Sequence, residues 1–253
     1  MVDFKREITH TSYKYEKQLK KYYHKVDKQI FKSPHGMDKL SKKEEEKYRY
    51  TTDQFIMLHT KGTITPFLGG GISIILVLIF VDSFFSGEKL EWFELFIFSL
   101  SCILTLFFTI YYFTKPKKEQ ILNRRDGLIT MTGFYWQKNI TMPFKDCLFA
   151  YTTGGEDGTG AFMLQSIRPT RSRLNSYDDF MVSGDCYDSM SLICWYMDKN
   201  RPLPPGTAFD EFRDKDYERR KAAGFPRPLY PSAIKTSEAT KKQQKEREMI
   251  GGW

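Results

Sequence analysis

Two long apolar stretches, separated by a short polar segment, dominate the pattern of hydrophobic and polar residues along the chain. They cover residues 66–85 and 92–113. A helix of roughly 20 residues, rising about 1.5 Å per residue, crosses the hydrocarbon core of a bilayer, which is about 30 Å thick. Both stretches have this length and few charges, so the pattern predicts a transmembrane helical hairpin over residues 66–113.

The charged residues around the hairpin predict its orientation. The connecting loop 86–91 is short and slightly acidic, whereas Lys61 precedes the first span and Lys115, Lys117 and Lys118 follow the second. Lys and Arg close to the ends of a span are retained in the cytoplasm. We therefore expect a multi-pass membrane protein with both termini in the cytoplasm and the loop outside.

Asp82 and Glu94 are the acidic residues within the apolar stretches, and each lies close to the loop. They are the candidate intramembrane polar residues. One interpretation is that their carboxylates reach the water at the interface, and the other is that they line a path for ions or protons. Two helices do not enclose a pore, so a channel requires a homo-oligomer.

Small residues within the spans predict how the two helices pack. Gly69 and Ser73 lie four residues apart on the first helix, and Ser101, Thr105 and Thr109 have the same spacing on the second. Small side chains allow close approach of helices in membranes. In an antiparallel hairpin, the Gly69 end should face the Thr109 end.

Residues 1–65 are predicted to form a basic, helical, cytoplasmic segment. Apolar residues recur at helical spacing among lysines, which predicts one amphipathic helix, and residues 39–49 resemble a charged helical stretch. The apolar face of the amphipathic helix lies either on the membrane or on the C-terminal domain. Its members are Tyr15, Leu19, Tyr22, Val26 and Ile30.

Residues 114–206 show a series of short strand patterns followed by one amphipathic helix over residues 185–199. The strands are predicted at 127–133, 134–142, 145–153, 161–167 and 179–183, and a glycine-rich hairpin loop at 154–160. The expected fold class is therefore a two-helix transmembrane hairpin plus a cytoplasmic α+β domain. We expect an antiparallel sheet with a terminal helix, pleckstrin-homology-like (PH-like) in outline.

Residues 207–253 are predicted to form a helical and proline-rich tail. A charged helix is expected at 209–223 and a polar helix at 237–249. The segment 225–231 between them is rich in proline and aromatic residues, which favours an extended conformation. It is either a docking peptide or a strap over its own domain, and Phe225 and Tyr230 are its candidate contact residues.

The charge of the chain bears on its partners. The net charge is +8 and the isoelectric point is near 9.1. Basic residues beside a membrane attract anionic lipid, whereas no compact basic motif or nucleic-acid-binding fold is recognisable. We expect a lipid bilayer and a protein as partners, and no nucleic acid.

The distribution of chemically active residues argues against an enzyme. All four histidines precede the first span, which removes His-dependent triads and most zinc sites from the C-terminal domain. We expect no catalysis, no cofactor and no metal. Arg124 and Arg125 belong to a polar cluster that either forms a turn or binds lipid headgroups or a partner, and Trp136 is a further candidate contact.

Several sequence features together resemble a known group of proteins. These are Asn123-Arg124 followed by Gly127, a hairpin containing Trp136, the run 142–146 (Met-Pro-Phe-Lys-Asp), and a later helix containing 195–197. They resemble proteobacterial two-span membrane proteins that carry a domain of unknown function and often accompany interbacterial toxin systems, including type VI secretion loci. The resemblance covers the hairpin and residues 123–205, and Phe144 stands where the group usually has tryptophan.

The resemblance implies an immunity or accessory protein of the bacterial inner membrane. Such a protein would bind and neutralise a secreted toxin, or bind a component of the secretion system, without catalysis. Two alternatives remain open at the level of the sequence. One is a membrane-anchored lipid- or peptide-binding sensor, and the other is an oligomeric pore or toxin component.

Overall fold

The computed structural model describes residues 6–14, 24–47, 49–59, 64–87, 89–151, 163–170, 177–180, 182 and 184–253. The chain divides into two compact units. The hairpin unit comprises Thr60–Lys118 and Gly133–Lys138. The sheet unit comprises Met1–His59, Glu119–Thr132 and Asn139–Trp253.

The hairpin unit contains the two predicted helices. They are α2, Ile64–Phe85, and α3, Trp92–Thr114, of 22 and 23 residues. Pro66 lies in the first turn of α2, where a backbone N–H has no helical partner and its absence costs little. The prediction of two long apolar helices joined by a short loop is confirmed.

The described residues of the sheet unit form two antiparallel sheets. One has five strands in the order β2-β3-β4-β5-β6, and the other has four in the order β1-β7-β8-β9. The prediction of a single sheet is therefore wrong, although antiparallel pairing is confirmed. The strands are β1 His24–Val26, β2 Arg49–Thr51, β3 Phe55–His59, β4 Glu119–Asn123, β5 Leu128–Met131, β6 Ile140–Pro143, β7 Phe149–Tyr151, β8 Leu164–Ile167 and β9 Tyr177–Asp179.

The segment before the hairpin differs most from the sequence prediction. Its described residues contain three strands and one short helix, α1, Lys42–Lys47. Val26 lies in β1, and Ile30 forms a parallel bridge with Ser232, so neither belongs to a helix. Both side chains are buried in the core of the sheet unit. Tyr15, Leu19 and Tyr22 lie outside the described residues.

The predicted strands after the hairpin are partly confirmed. Strands β5, β7, β8 and β9 overlap the predicted ranges 127–133, 145–153, 161–167 and 179–183. The range 134–142 is strand only at its end, because residues 134–137 form a turn. Strand β4 was not predicted. The glycine-rich loop 154–160 lies outside the described residues.

The helices of the sheet unit follow its last strand. Helix α4, Cys186–Met197, corresponds to the predicted helix, and the Asp185 carboxylate caps it by accepting a 2.8 Å hydrogen bond from the Asp188 N–H. Helix α5 spans Arg213–Ala222 and helix α6 spans Lys241–Gly251. Because α4 is buried along nearly its whole length, it forms the centre of the core. Its core neighbours include Ile56, Leu122, Ile129, Met142, Phe144, Phe149 and Phe209.

The proline-rich segment of the tail is a strap over the sheet unit. The Ile30 N–H donates to the Pro231 carbonyl (3.0 Å), and the Ala233 N–H donates to the Ile30 carbonyl (2.8 Å). The buried Asp198 carboxylate accepts hydrogen bonds from the N–H groups of Leu229 and Tyr230 at 2.9 and 3.2 Å. These contacts support the strap interpretation over a free docking peptide.

Candidate functional site

Of the small residues predicted to form the contact between α2 and α3, Ser73 and Ser101 are buried, whereas Thr109 is exposed. A Cβ atom at Gly69 would lie 2.6 Å from the tip of the Phe108 ring, which shows how closely the helices approach there. The buried Ser73 hydroxyl donates to the Gly69 carbonyl at 2.8 Å. At the other end, the Phe80 and Phe98 ring centroids lie 5.9 Å apart. The predicted antiparallel packing, with Gly69 near the end of α3, is confirmed.

The outer surface of the hairpin is almost entirely apolar. Phe67–Phe85 and Trp92–Thr114 have mean hydropathies of 2.2 and 2.1 and are long and apolar enough to cross a membrane. Large side chains at both ends of the hairpin, such as Phe85 and Phe113, are about four-fifths exposed. An exposed apolar surface of this extent marks a contact with a membrane or another protein.

The two acidic residues of the apolar stretches lie at the loop end of the hairpin. Asp82 is exposed in the last turn of α2. Glu94 is half-buried in the first turn of α3, and its Oε2 accepts a 2.8 Å hydrogen bond from the Glu91 N–H. Glu94 therefore stabilises the start of a helix, where a carboxylate is also favoured by the helix dipole.

Aromatic residues surround the end of α3 opposite the loop. The Trp136 ring packs edge-on against Phe107 and Tyr111, with centroid separations of 5.4 and 5.0 Å, and Tyr135 lies 5.1 Å from Tyr111. The Trp136 indole N–H donates to the Thr114 hydroxyl at 2.8 Å. We call Phe107, Tyr111, Tyr135 and Trp136 the aromatic collar. Trp and Tyr concentrate at membrane–water interfaces, because one end of each side chain is apolar and the other polar.

A tight turn over residues 133–138 carries Tyr135 and Trp136, two of the four residues of the aromatic collar. The Lys118 ammonium donates to the carbonyls of Gly133 (2.7 Å) and Gln137 (2.6 Å), which fastens both ends of the turn. A Cβ at Gly133 would lie 2.2 Å from the Lys138 carbonyl oxygen, so only glycine fits there. Trp136 remains 44% exposed and is available for an external contact.

A network of buried ion pairs connects the tail to the rest of the sheet unit. The Asp216 carboxylate accepts hydrogen bonds from Arg124 at 2.6 Å and from Arg220 at 2.8 Å. The Glu238 carboxylate accepts from Arg220 at 2.6 and 2.8 Å and from Arg247 at 3.1 Å. We call these five residues the ion network. All are less than a tenth exposed, so the network links α5, α6 and the turn after β4.

The charges of the ion network stabilise one another. Burial raises the pKa of the Asp216 carboxyl, but Arg124 and Arg220 outweigh burial and hold this pKa below its ordinary value. Burial by itself lowers the pKa of Arg220, but the hydrogen bonds and charges of Glu238 and Asp216 together raise this pKa above its ordinary value. Charged groups are tolerated inside a protein only when they are paired in this way.

The candidate contact residues of the sheet unit separate into exposed and interior positions. Arg125 is exposed, and its guanidinium lies 5.3 Å from the Phe55 ring centroid. Arg124 and Phe225 are 3% and 1% exposed, so the prediction that they contact a partner or lipid at the surface is wrong. Tyr230 is half-buried and packs edge-on against Phe144 at 5.3 Å.

Phe225 has a structural role. Its backbone has a positive φ of 48°, its ring lies 5.4 Å from the Tyr217 ring, and its carbonyl accepts a 2.8 Å hydrogen bond from the Trp253 indole. Gly224 before it also has a positive φ, 74°, which ends α5 in the left-handed conformation. The chain therefore reverses sharply into the strap at this point.

The buried thiols have low reactivity. Cys147, Cys186 and Cys194 are buried, and burial raises the pKa of the Cys147 thiol to about 12. A thiol with this pKa is protonated at neutral pH and is a poor nucleophile or metal ligand. Among the described residues, no group of three His, Cys, Asp or Glu side chains is placed to hold a metal ion.

The sheet unit also has a cleft of about 420 Å³ between the loop after α4, helix α5 and the segment before α6. Its apolar side includes Trp195, Leu203 and Tyr217, and its charged side includes Arg213 and the exposed Lys235. We call it the tail cleft. Its volume lies in the range of ligand-binding pockets, about 300–1,000 Å³.

Sequence reasoning found the hairpin but missed the ion network and the tail cleft. Asp216 and Arg220 are four residues apart on one helix, a spacing at which opposite charges meet, so this pair was detectable. Glu238 and Arg124 come from distant parts of the chain, and no local pattern relates them. No protein-family model, curated protein or solved structure matches the chain.

Proposed function

We propose that the protein is a membrane-anchored, non-catalytic binding protein of the bacterial inner membrane. The observation that carries this proposal is the outward-facing apolar surface of α2 and α3. In the stretch of each helix that is long enough to cross a membrane, only 11% of the residues of α2 and 6% of those of α3 are buried. In this role the hairpin spans the bilayer and the sheet unit binds a protein partner.

The course of the chain supports cytoplasmic placement of both termini. The hairpin is inserted between β3 and β4, which pair with each other from His59↔Glu119 to Phe55↔Asn123. Because the sheet unit combines residues from before and after the hairpin, both flanking segments belong on one side of the membrane. The lysines that follow α3 favour the cytoplasmic side.

The partner that we propose is an interbacterial toxin, which the protein neutralises by binding. This role is supported by the resemblance to two-span proteins of toxin loci. The surface around Arg125 and Trp136 is the part of the predicted contact set that remains exposed.

A competition assay tests the immunity role. A strain that lacks the protein should be outcompeted by its isogenic parent only when the parent secretes its toxins, and the wild-type chain supplied in trans should restore survival. A chain whose hairpin is replaced by two unrelated spans of equal length tests whether the hairpin is only an anchor. Survival with this chain would place toxin recognition in the sheet unit. Equal survival of the deletion strain and its parent would contradict the role.

The tail cleft favours a second candidate function, a membrane-anchored peptide-binding sensor. The PH-like outline is part of this proposal: two antiparallel meanders, β2–β6 and β7–β9, are followed by the core helix α4. With the exposed Lys235 on its charged side, the cleft is complementary to an acidic segment.

Filling the tail cleft tests this second function. Ala239 is exposed and lines the cleft, so Ala239→Trp should block an acidic peptide without disturbing the core. Ala222 is exposed on α5 away from the lining residues, and Ala222→Trp is the matched control. Retention of acidic-peptide binding by both variants, or absence of binding to the wild-type chain, would remove the sensor role.

A further inference from the structure

One wall of the tail cleft is formed by the segment of the chain just before α6. Lys235, Ser237 and Ala239 are exposed and line the cleft, whereas Thr236 and Glu238 between them are buried. Alternate side chains of an extended backbone point to opposite sides. The alternation therefore gives this wall one face toward the cleft and one face toward the interior.

The interior face holds the wall in place. The Thr236 hydroxyl accepts a 2.8 Å hydrogen bond from Arg201, and the Thr236 carbonyl accepts one of 2.9 Å from Arg247. Glu238 is a member of the ion network. Because the wall is already fixed by these contacts, a ligand that binds to it need not order it first, and less affinity is lost to ordering.

Lys235 carries the charge of the cleft that the fold does not use. Its side chain is exposed, and no ion pair or hydrogen bond joins it to another residue in the part of the chain that the structure describes. Arg213, by contrast, donates to the Asp210 carboxylate at 2.8 Å and to three backbone carbonyls. The Lys235 ammonium is therefore accessible to an external anion.

Two further hydrogen-bond donors line the cleft with Lys235. One is the exposed Ser237 hydroxyl, and the other is the side-chain NH2 of the half-buried Gln243. The Gln243 Oε1 atom accepts a 3.2 Å hydrogen bond from the Thr240 N–H, so the amide is oriented with its NH2 group directed elsewhere. An ammonium, a hydroxyl and an amide NH2 together complement the oxygens of a carboxylate.

The floor of the cleft is apolar. The Trp195 indole N–H donates to the Pro202 carbonyl at 2.8 Å, which fixes the orientation of the ring, and Leu203, Pro205 and Tyr217 line the cleft beside it. Aromatic rings pack favourably against such a surface. The cleft volume of about 420 Å³ lies toward the lower end of the range for ligand pockets, about 300–1,000 Å³, which suits a short segment.

We propose that the tail cleft binds a short peptide segment in which a carboxylate adjoins an aromatic residue. The carboxylate binds to Lys235, Ser237 and Gln243, and the aromatic ring lies on the floor beside Trp195. This assignment rests on the second candidate function, the peptide-binding sensor, and names the ligand of that site. The carboxylate can come from two sources, an acidic side chain or the C-terminus of a chain.

Calorimetric titration of the full chain in an uncharged detergent tests the assignment. The probe is the peptide Gly-Ser-Asp-Trp with an amidated C-terminus. Lys235→Met should weaken its binding by about tenfold or more, because a hydrogen bond between charged groups is lost, and Lys235→Arg should retain it. Lys245→Met makes the same charge change at an exposed lysine of α6 that does not line the cleft, and it should bind as the wild type does. Equal affinities of Lys235→Met and the wild-type chain would overturn the assignment.

Changes in the peptide separate this assignment from the wider sensor role. Asn in place of Asp removes the carboxylate, Ala in place of Trp removes the ring, and either peptide should bind the wild-type chain more weakly than the probe. Equal binding of the Asp and Asn peptides would overturn the assignment and leave the sensor role standing. Absence of binding by every peptide would remove both.

The Asn peptide with a free C-terminus distinguishes the two sources of the carboxylate. If it binds as tightly as the amidated Asp peptide, the cleft accepts the end of a chain. If it binds as weakly as the amidated Asn peptide, the cleft selects an acidic side chain. Either result, together with weaker binding of the amidated Asn peptide, supports a carboxylate as the recognised group.

Discussion

Arg220 is a fully buried cation in which every type of guanidinium nitrogen has a carboxylate acceptor. Nε donates to Asp216, and the two terminal nitrogens donate to Glu238. The Tyr217 and Phe225 rings lie 5.9 and 5.8 Å from its guanidinium carbon. Such an arrangement gives directional contacts that apolar packing lacks, and it orients α5 relative to the segment before α6.

Loss of one carboxylate should therefore destabilise the sheet unit strongly. In Glu238→Gln, Arg220 and Arg247 lose their shared counter-charge while remaining buried, and breaking a buried pair in this way costs about 3–5 kcal/mol. Thermal unfolding of the full chain in detergent measures the effect. The exposed Glu218 provides the control Glu218→Gln, and equal unfolding temperatures for the two variants would contradict the ion network.

Asp216 should make stability depend on pH. Its pKa is lowered in the folded state, so its contribution is present above the ordinary pKa of Asp, about 3.9, and is lost as pH falls through the folded value. Below about pH 4, the free energy of unfolding of the wild-type chain should therefore fall more steeply than that of Asp216→Asn. The exposed Asp214 gives the control Asp214→Asn, whose pH profile should match the wild type.

The sequence did not show which charged residues of the cluster after β4 are buried. The sequence left two interpretations of the cluster 123–127, a turn or a contact with lipid or a partner. The turn is present, since the Asn123 side chain accepts a 2.9 Å hydrogen bond from the Asp126 N–H. The burial of Arg124 was missed because its partner Asp216 lies 92 residues away. Arg125, the next residue, is exposed, so sequence position alone does not separate the two.

At the scale of elements, α2 and α3 meet closely where glycine removes a side chain. The Phe108 ring occupies the space beside Gly69, whereas a Cβ at Gly71 meets no described atom within 4 Å. The two glycines therefore belong to the same helix but to different faces. The face of Gly69 is the contact with α3.

Gly69→Val should disturb this contact, and Gly71→Val should not. Added volume at a packed position forces neighbours to move and costs about 1–3 kcal/mol. We expect a lower unfolding temperature in detergent for Gly69→Val than for Gly71→Val. Because the nearest atoms are all in the Phe108 ring, Phe108→Leu should restore part of the loss. No difference between the two valine variants would contradict the packing.

The elements that could be predicted are those specified locally. Length and apolarity determine α2 and α3, and the Asp185 cap with an apolar stripe indicates α4. Strands β2 and β3 were missed because their charged and aromatic residues lack clear alternation. Strand β3 pairs with β4, which follows the entire hairpin in the sequence. The place of β2 and β3 in the sheet therefore depends on a distant segment.

The whole molecule is a sheet unit with a hairpin inserted between paired strands. This arrangement requires an even number of membrane crossings, because the sheet unit folds from segments on both sides of the insertion. It also requires that α2 and α3 be made before the five-stranded sheet can be completed. Our central claim is that these two helices span the membrane with the sheet unit in the cytoplasm.

Labelling of single introduced cysteines with a membrane-impermeant maleimide tests this claim most directly. Lys89→Cys lies in the loop and Lys138→Cys in the turn beside the aromatic collar, and both positions are exposed. Three of the native cysteines are buried, and Cys102 lies within α3 and is replaced by alanine in both variants. In intact spheroplasts we predict labelling at residue 89 alone, with residue 138 reacting only after the membrane is permeabilised. Labelling of residue 138 in intact spheroplasts would contradict the account.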